Sequence, residues 1–152
     1  MNELMKNKRG LVMGIANDRS IAWGIARKLA EHGAELAITY QNEAFARRVR
    51  PLAEKLGATL ILLCDVEDPS TIDACFQAIG ERWGKIDFVV HSIGYSDRSE
   101  LRGRYADVTT RENFVRTMLV SAYSFTEVAQ RAAKLMMPGG VLLTLTYGGS
   151  VR

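Results

Sequence analysis

Five short apolar runs, separated from one another by segments with helical patterning, constrain the fold of this chain most strongly. The runs are Leu11–Met13, Leu36–Tyr40, Thr59–Cys64, Ile86–His91 and Val141–Tyr147. Each run is almost continuously apolar, which is typical of parallel strands that helices cover on both faces. Right-handed crossovers between such strands predict a Rossmann-type, doubly wound α/β sheet with the strand order 3-2-1-4-5.

The composition is that of one soluble domain covering residues 1–152. Hydrophobic residues make up 47% of the chain and charged residues 24%, which is enough for one core. The 20 basic and 17 acidic residues are interspersed, so the charge pattern favours neither nucleic acid nor a membrane as a partner. The first ten residues lack the apolar core of a signal peptide, and no apolar run approaches a membrane span. We therefore expect a cytoplasmic protein.

The two cysteines are interpreted as core residues. Cys64 and Cys75 lie among apolar residues and in no paired ligand motif. We expect both thiols to be reduced and buried, and the sequence predicts no metal site.

The segment after the first run, residues 14–24, predicts an anion-binding turn. Gly14 breaks the strand, Ser20 begins an amphipathic helix, and Gly24 lies in that helix. The first N–H groups of a helix have no partner within it and point toward any phosphate placed there. We expect Gly14 to allow a sharp turn, Ser20 to cap the helix or bind a phosphate oxygen, and Gly24 to permit close helix packing. The spacing departs from G-x-G-x-x-G, and the alternative is a loop that merely joins strand to helix.

A second break follows the fourth run at Ser92-Ile93-Gly94. In the predicted order, strands one and four are neighbours at the switch point, where ligands bind beyond the carboxyl ends of the strands. The two breaks therefore flank one crevice. We interpret Ser92, Ile93 and Gly94 as contacts to the nicotinamide half of a dinucleotide.

The ends of strands two and three supply candidates for the adenosine half. Gln41 stands where NAD sites carry an acidic residue for the ribose 2′-hydroxyl. Because glutamine is neutral, the choice between NADH and NADPH stays open. Arg47 and Arg48 could meet a 2′-phosphate, although a solvated helix face is the simpler interpretation. Asp65 could accept a hydrogen bond from the adenine amino group while Val66 packs on the ring; the alternative for Asp65 is a plain turn residue.

The second half of the chain predicts one long helix. Thr109 and Glu112 form a capping box for a helix that extends to about Met136. The polar stretch 95–107 before it is interpreted as a surface loop, and Pro138-Gly139-Gly140 after it as a turn. The apolar face of the helix consists of Phe114, Met118, Leu119, Ala122, Phe125 and Val128.

Tyr147 is the candidate catalytic residue. It ends the fifth run, at the same edge of the sheet as the predicted cofactor site, and Gly148-Gly149-Ser150 follows it. A phenol can donate a proton or a hydrogen bond to a developing oxyanion beside a hydride donor. The alternative is an aromatic residue that merely ends a strand. His91 and His32 are weaker candidates, because no carboxylate stands near His91 in sequence and His32 precedes a helix end.

Together these motifs resemble the bacterial enoyl-[acyl-carrier-protein] reductases, a divergent branch of the short-chain dehydrogenase/reductase family. The resemblance covers the whole chain and rests on Gly14, Ser20–Gly24, Ala34–Ala37, Thr39–Asn42, Cys64–Val66, His91–Gly94 and Leu143–Tyr147. It implies hydride transfer from NADH to the β-carbon of a trans-2-enoyl thioester carried on acyl carrier protein, in fatty-acid biosynthesis.

The resemblance also implies roles for individual residues. Cofactor contacts would be Gly14, Ser20, Ile21, Gln41, Asp65, Val66 and Ile93. Ser96 would border the substrate, and Tyr147 would be the first of two active-site tyrosines. A homotetramer is implied, with the helix from Thr110 as its natural interface.

One departure from the family pattern concerns the end of the chain. The family's second tyrosine and its ribose-binding lysine both follow strand five, whereas no lysine occurs after Lys134. We therefore expect a dinucleotide-binding domain that is truncated after strand five and incomplete at its C-terminus, with weak NADH affinity and negligible turnover. Two other hypotheses stay open, a short-chain dehydrogenase that acts on a carbonyl and a non-catalytic dinucleotide-binding module.

Overall fold

Strands and helices alternate along the part of the chain that a computed structural model describes, residues 3–150. The strands are β1 Arg9–Met13, β2 Glu35–Tyr40, β3 Leu60–Leu63, β4 Ile86–His91 and β5 Met136–Thr144. The helices are α1 Ile21–Glu31, α2 Glu43–Lys55, α3 Pro69–Trp83, α4 Tyr105–Val108, α5 Arg111–Met118 and α6 Ser124–Ala132. Within these described residues, no helix is both long and apolar enough to cross a membrane.

The five strands form one parallel sheet in the order β3-β2-β1-β4-β5. This confirms the predicted doubly wound arrangement. The central strand β1 places Val12 opposite Ile38 of β2 and Met13 opposite His91 of β4. The carboxyl ends of the central strands therefore meet at one edge, where the loops after β1 and β4 begin.

Apolar side chains fill a core on each side of the sheet. On one side, residues of β1 and β4 pack with α3 and α6, with Leu11, Met13, Val89, Ile72, Ile79 and Val128 all buried. On the other side they pack with α1 and α2, with Val12, Ile38, Val90, Ala22, Ala26 and Val49 buried. The free thiols of Cys64 and Cys75 are buried, as expected. Most of β5, in contrast, is exposed.

Side chains cap the first turns of α2 and α3. Asp68 accepts a hydrogen bond from the Ser70 N–H at 3.0 Å, and Pro69 is the first helical residue of α3. Asn42 accepts from the N–H groups of Ala44 and Phe45 at the start of α2. Each bond satisfies a donor that the helix cannot pair.

The prediction of a single long helix after residue 109 is wrong in two respects. The N-cap is Thr110, whose side chain accepts from the Asn113 N–H at 3.2 Å, and not Thr109. The helix is also divided, because a π-helical turn at Leu119–Tyr123 lies between α5 and α6, and α6 ends at Ala132 rather than near Met136. A π turn inserts one residue without any glycine or proline to mark it.

The surface loop predicted at residues 95–107 contains two short helical segments, a 3₁₀ turn at Arg98–Leu101 and α4. The interpretation of this stretch as a surface loop therefore omits two short helical segments. Its residues are mostly exposed, as expected.

The start and end of β5 also differ from the prediction. Met136 already pairs with Ile86, and pairing resumes at Val141 opposite Phe88 after an irregular segment that contains Pro138-Gly139-Gly140. The strand ends at Thr144. Tyr147 therefore lies three residues beyond the strand, and 86% of its surface is exposed.

Candidate functional site

The loops after β1 and β4 cross in close contact at Gly14. Gly14 adopts a φ of 99°, a conformation that side chains rarely allow. A Cβ atom there would lie only 1.8 Å from the Ser92 carbonyl oxygen. The Ser92 N–H donates to the Met13 carbonyl at 3.2 Å, which holds the crossing together. The expected sharp turn is confirmed, and the close approach it permits is to the β4 loop.

Ser20 stabilises the loop and not the helix. It occupies the N-cap position of α1, but its side chain makes no cap hydrogen bond. Its hydroxyl oxygen instead accepts from the N–H groups of Ala16 and Asn17, both at 3.0 Å. The expected cap is therefore wrong. The first turn of α1 contains no acidic residue, so its unpaired N–H groups can meet an anion without a competing carboxylate.

Gly24 does not have the packing role predicted for it. A Cβ atom at this position would meet nothing within 4 Å, so close approach of α1 to the sheet does not require glycine here.

A cleft opens along this edge of the sheet and encloses about 220 Å³. Its walls come from the ends of β1 to β4 and from the π turn. The lining residues are Gly14, Ile15, Ala16, Thr39, Tyr40, Gln41, Phe45, Cys64, Asp65, Val66, Glu67, Ser92, Ile93, Gly94, Tyr95 and Val120. Most of this surface is apolar, with the polar groups gathered at the ends of β2 and β3, as in sites that bind organic ligands.

Asp65 organises the β3 end of the cleft. Its backbone N–H donates to the Thr71 hydroxyl at 2.9 Å, and its Oδ1 accepts from the Glu67 N–H at 3.1 Å. Gln41 reaches the same Oδ1 from the end of β2 at 3.5 Å, the limit of a hydrogen bond. The other carboxylate oxygen makes no hydrogen bond to the described residues, which leaves an acceptor for a ligand donor.

An aromatic and an arginine flank the β2 end of the cleft. Phe45 lines it, and the guanidinium of Arg48 lies over the Phe45 ring with 5.7 Å between its carbon and the ring centroid. Arg47 is exposed beside it. A stacked guanidinium at this end is compatible with a phosphate on the adenosine ribose.

Arg116 of α5 contacts two residues that line the cleft, Glu67 and Tyr95. Its Nε and Nη2 donate to the two Glu67 carboxylate oxygens at 2.7 and 2.8 Å. Its Nη1 donates to the Tyr95 hydroxyl at 3.0 Å, and the guanidinium carbon lies 4.3 Å from the Tyr95 ring centroid. The hydrogen bond from Arg116 holds the pKa of the Glu67 carboxyl below its usual range, so Glu67 is ionised at neutral pH.

A polar cluster around Asn113 fixes Ser96. The Asn113 side-chain N–H group donates to the Ser96 hydroxyl oxygen at 3.1 Å and to Glu100 at 3.0 Å, while its oxygen accepts from the Asp97 N–H. Thr117 donates to the same Ser96 oxygen at 3.2 Å. The Ser96 hydroxyl oxygen therefore accepts two hydrogen bonds, and Ser96 is not among the residues that line the cleft.

His91 is fully buried at the end of β4. Its Nε2 lies 2.8 Å from the Ser124 hydroxyl oxygen, and that hydroxyl donates its hydrogen to the Val120 carbonyl. Ser124 can therefore only accept, which assigns the ring proton to Nε2 and leaves Nδ1 to accept from Thr144 at 3.2 Å. Burial lowers the pKa of His91. The neutral ring joins β4 to β5 and α6 through these hydrogen bonds, and His91 is not among the residues that line the cleft.

A sequence model described as enoyl-(acyl carrier protein) reductase matches residues 14–152. The chain belongs to this family. The enoyl reductase relatives include the NADH-dependent enoyl-[acyl-carrier-protein] reductase 2 of Rhizobium meliloti, which is 63% identical over 152 residues. That alignment covers 100% of this chain and 56% of the relative, so the chain spans about half the length of the curated reductase it matches.

Solved enoyl reductase structures share the fold. The crystal structure of FabI from Candidatus Liberibacter asiaticus is 55% identical with a TM-score of 0.95, and the match covers 100% of this chain and 58% of that one. The reductase of Anaplasma phagocytophilum, solved in complex with NAD, is 48% identical with the same TM-score and the same coverage.

The cleft of this enoyl reductase family member gathers most of the residues that the sequence identified. Those lining it are Gly14, Gln41, Asp65, Val66, Ser92, Ile93 and Gly94. Ser20 and Ile21 lie outside the lining, at the start of α1, and Ile21 is exposed. Ser96 and Tyr147 also lie outside it.

Sequence reasoning missed several lining residues. Glu67 and Tyr95 each stand next to a residue that was identified, so the flanks of those motifs could have indicated them. Val120 enters the cleft from the π turn, and no local pattern marks it. No group of three or more His, Cys, Asp or Glu side chains gathers in a metal-binding arrangement within residues 3–150.

Proposed function

We propose that this protein works as an NADH-dependent enoyl-[acyl-carrier-protein] reductase of fatty-acid biosynthesis, reducing the double bond of a trans-2-enoyl thioester. The observation that carries the proposal is the crossing of the β1 and β4 loops at Gly14 and Ser92, beside Gln41 and Asp65 at one cleft. In a member of the enoyl reductase family, this is the arrangement expected around a dinucleotide at the switch point of the sheet.

The residues of the cleft fit an adenosine group. A volume of about 220 Å³ is below the roughly 300–1,000 Å³ of pockets that enclose whole drug-sized ligands. The cleft would therefore hold the adenosine half of a dinucleotide, and the remainder would extend out of it past the Ser92-Ile93-Gly94 side of its lining. The free Asp65 oxygen could accept from the adenine amino group, Val66 could pack on the ring, and Gln41 could bond a ribose hydroxyl.

The start of α1 supports the placement of the pyrophosphate. The N–H groups of Ile21 and Ala22 stand at the positive end of an 11-residue helix whose first turn has no carboxylate, whereas the Ser20 N–H donates to the Asn17 carbonyl at 3.2 Å. The hydroxyl of Ser20 is occupied by the loop, so we assign phosphate binding here to backbone N–H groups and not to this side chain.

The proposed chemistry assigns one role to each remaining residue. Bound NADH supplies the hydride for the β-carbon of the enoyl thioester. Ser92, Ile93 and Gly94 would hold the nicotinamide half, and Ser96 would border the substrate. The Tyr147 hydroxyl would donate a hydrogen bond to the thioester oxygen, where negative charge develops as the enolate forms.

We also propose acyl carrier protein as the carrier of the substrate, a homotetramer as the assembly and the cytoplasm as the location. Support for the assembly comes from an apolar patch of α5 and the π turn that is about half exposed, formed by Phe114, Val115, Met118 and Tyr123. Apolar patches of this kind are commonly covered by another subunit. Two free thiols in the core support a reducing compartment.

Intact mass measured on the protein from its native source, together with NADH titration of the same sample, tests this function. A mass above the 16.9 kDa of this chain, with NADH binding and reduction of a crotonyl thioester, is the expected result. Tyr147→Phe should then lower kcat and leave the NADH dissociation constant unchanged. A mass of 16.9 kDa with tight NADH binding and no turnover would refute the enzymatic role in favour of a nucleotide-binding module.

A further inference from the structure

We propose that Arg116 is a positioning residue for the nucleotide cleft, one that neutralises Glu67 and holds Glu67 and Tyr95 together as a single wall. The inference rests on the proposed function, since it concerns how the cleft receives NADH. It adds a residue of α5 to a site whose lining comes from the strand ends and the loops after them, from α2 and from the π turn.

The contacts of Arg116 join two separate loops. Glu67 follows β3 and Tyr95 follows β4, and both line the cleft. Arg116 makes a bidentate pair with the Glu67 carboxylate and contacts both the hydroxyl and the ring face of Tyr95. Because the guanidinium is planar and uses its edges for the hydrogen bonds and its face for the Tyr95 ring, it fixes the position and the orientation of both partners.

The exposure of the Arg116–Glu67 ion pair indicates that it contributes more to the position of the two loops than to the free energy of unfolding. The side chain of Arg116 is 45% exposed and that of Glu67 is 28% exposed. Ion pairs with this degree of exposure contribute little to folding because water and salt screen them. The same residues, however, set the distance between the two loops across which the ligand must lie.

Charge supplies the second part of the argument. Glu67 is a carboxylate in the wall of a cleft that would receive part of a dinucleotide, a ligand with two negative charges on its pyrophosphate. Without Arg116, the Glu67 charge would be unpaired and would repel the phosphates. Arg116→Gln should therefore weaken NADH binding, and Glu67→Gln added to that variant should restore part of the affinity.

The chain offers a matched control on the same side of the sheet. Arg131 of α6 donates to Asp73 of α3 at 2.6 Å, which is an arginine–carboxylate ion pair between two helices. Neither residue lines the cleft. Arg131→Gln removes an ion pair of the same chemistry and should leave NADH binding as it is.

The experiment measures NADH dissociation constants for the wild-type chain, Arg116→Gln, Arg116→Gln/Glu67→Gln and Arg131→Gln by calorimetry at low salt. We expect about a threefold to tenfold weakening for Arg116→Gln, a return to within about twofold for the double variant, and no change for Arg131→Gln. Amide hydrogen exchange is followed on the same four proteins without NADH. The Glu67 and Tyr95 amides donate hydrogen bonds to the side chains of Asp65 and Ser121. Their exchange rates should rise in Arg116→Gln and stay at the wild-type value in Arg131→Gln.

Each outcome decides a separate point. Unchanged NADH affinity in Arg116→Gln would overturn the inference, and a double variant as weak as the single one would overturn the role of charge. Equal exchange rates in wild type and Arg116→Gln would overturn the positioning role. Failure of the wild-type protein to bind NADH, at the full mass found in the test of the proposed function, would instead count against that function. The exchange rates would then decide alone whether Arg116 orders the wall.

Discussion

Gly14→Ala should destabilise the protein by a calculable amount, because two features of the structure oppose a side chain at this position. The first is the backbone conformation, with a φ of 99°. A residue with a Cβ atom is expected to lose about 1–2 kcal/mol in the left-handed region. The second is contact, since the added Cβ would lie 1.8 Å from the Ser92 carbonyl oxygen.

Relief of that contact requires the β4 loop to move. The separation must grow from 1.8 Å to at least 3.0 Å, the shortest distance that real Cβ atoms tolerate. Such a shift breaks the Ser92 N–H bond to the Met13 carbonyl, which is 3.2 Å long, at a cost of about 0.5–1.5 kcal/mol. The two contributions together predict a loss of about 1.5–3.5 kcal/mol in the free energy of unfolding.

Urea denaturation followed by far-UV circular dichroism measures this loss, and Gly24→Ala is the matched control. Gly24 lies within α1, and a Cβ atom there meets nothing within 4 Å. Alanine should therefore stabilise this variant by about 0.5–1 kcal/mol. A Gly14→Ala protein as stable as the wild type would refute the reasoning, since the crossing would then accept a side chain without strain.

Three further predictions concern other parts of the chain. Because burial lowers the pKa of His91, protons bind preferentially to the unfolded chain, and the free energy of unfolding should fall as the pH drops below about 6.5. Urea denaturation between about pH 7.5 and 5.5 should lose this slope in His91→Asn and keep it in His32→Asn. The hydrogen bond with Cys64 and burial raise the pKa of the Cys75 thiol, and both cysteines are buried. A disulfide reagent should therefore label both thiols slowly in the native protein and fast in urea. Rapid labelling of the native protein would contradict this. Asn42→Ala should lower the stability by about 1 kcal/mol through loss of the α2 cap, and Asn42→Asp, which can still cap, should not.

The topology was predictable because it follows from general rules that each strand obeys separately. Near-continuous apolar runs indicated parallel strands, and right-handed crossovers then left one simple strand order. The crevice between Gly14 and Ser92 followed from that order, since neighbouring parallel strands end at one edge. Both residues line the observed cleft.

Two kinds of contact could not be predicted from the sequence. They are hydrogen bonds for which one side chain has several possible partners, and ion pairs between residues that are far apart in the chain. Ser20 could cap a helix or bond its own loop, and only the three-dimensional path of Ala16 and Asn17 selects the loop. Arg116 and Glu67 stand 49 residues apart in sequence. Nothing in the local pattern of either residue indicates the other.

The π turn at Leu119–Tyr123 has a consequence for the length of this segment. One surplus residue in a helix advances everything before it by about 100° and 1.5 Å relative to everything after it. α6 is held by buried Val128 and Ala132, so removal of a residue from the π turn would rotate α5 about its own axis. Arg116 and Asn113 would then swing away from their partners even though neither had been altered. The number of residues in the π turn thus sets the rotation of α5 about its axis. Deletions in this turn should therefore be far less tolerated than substitutions.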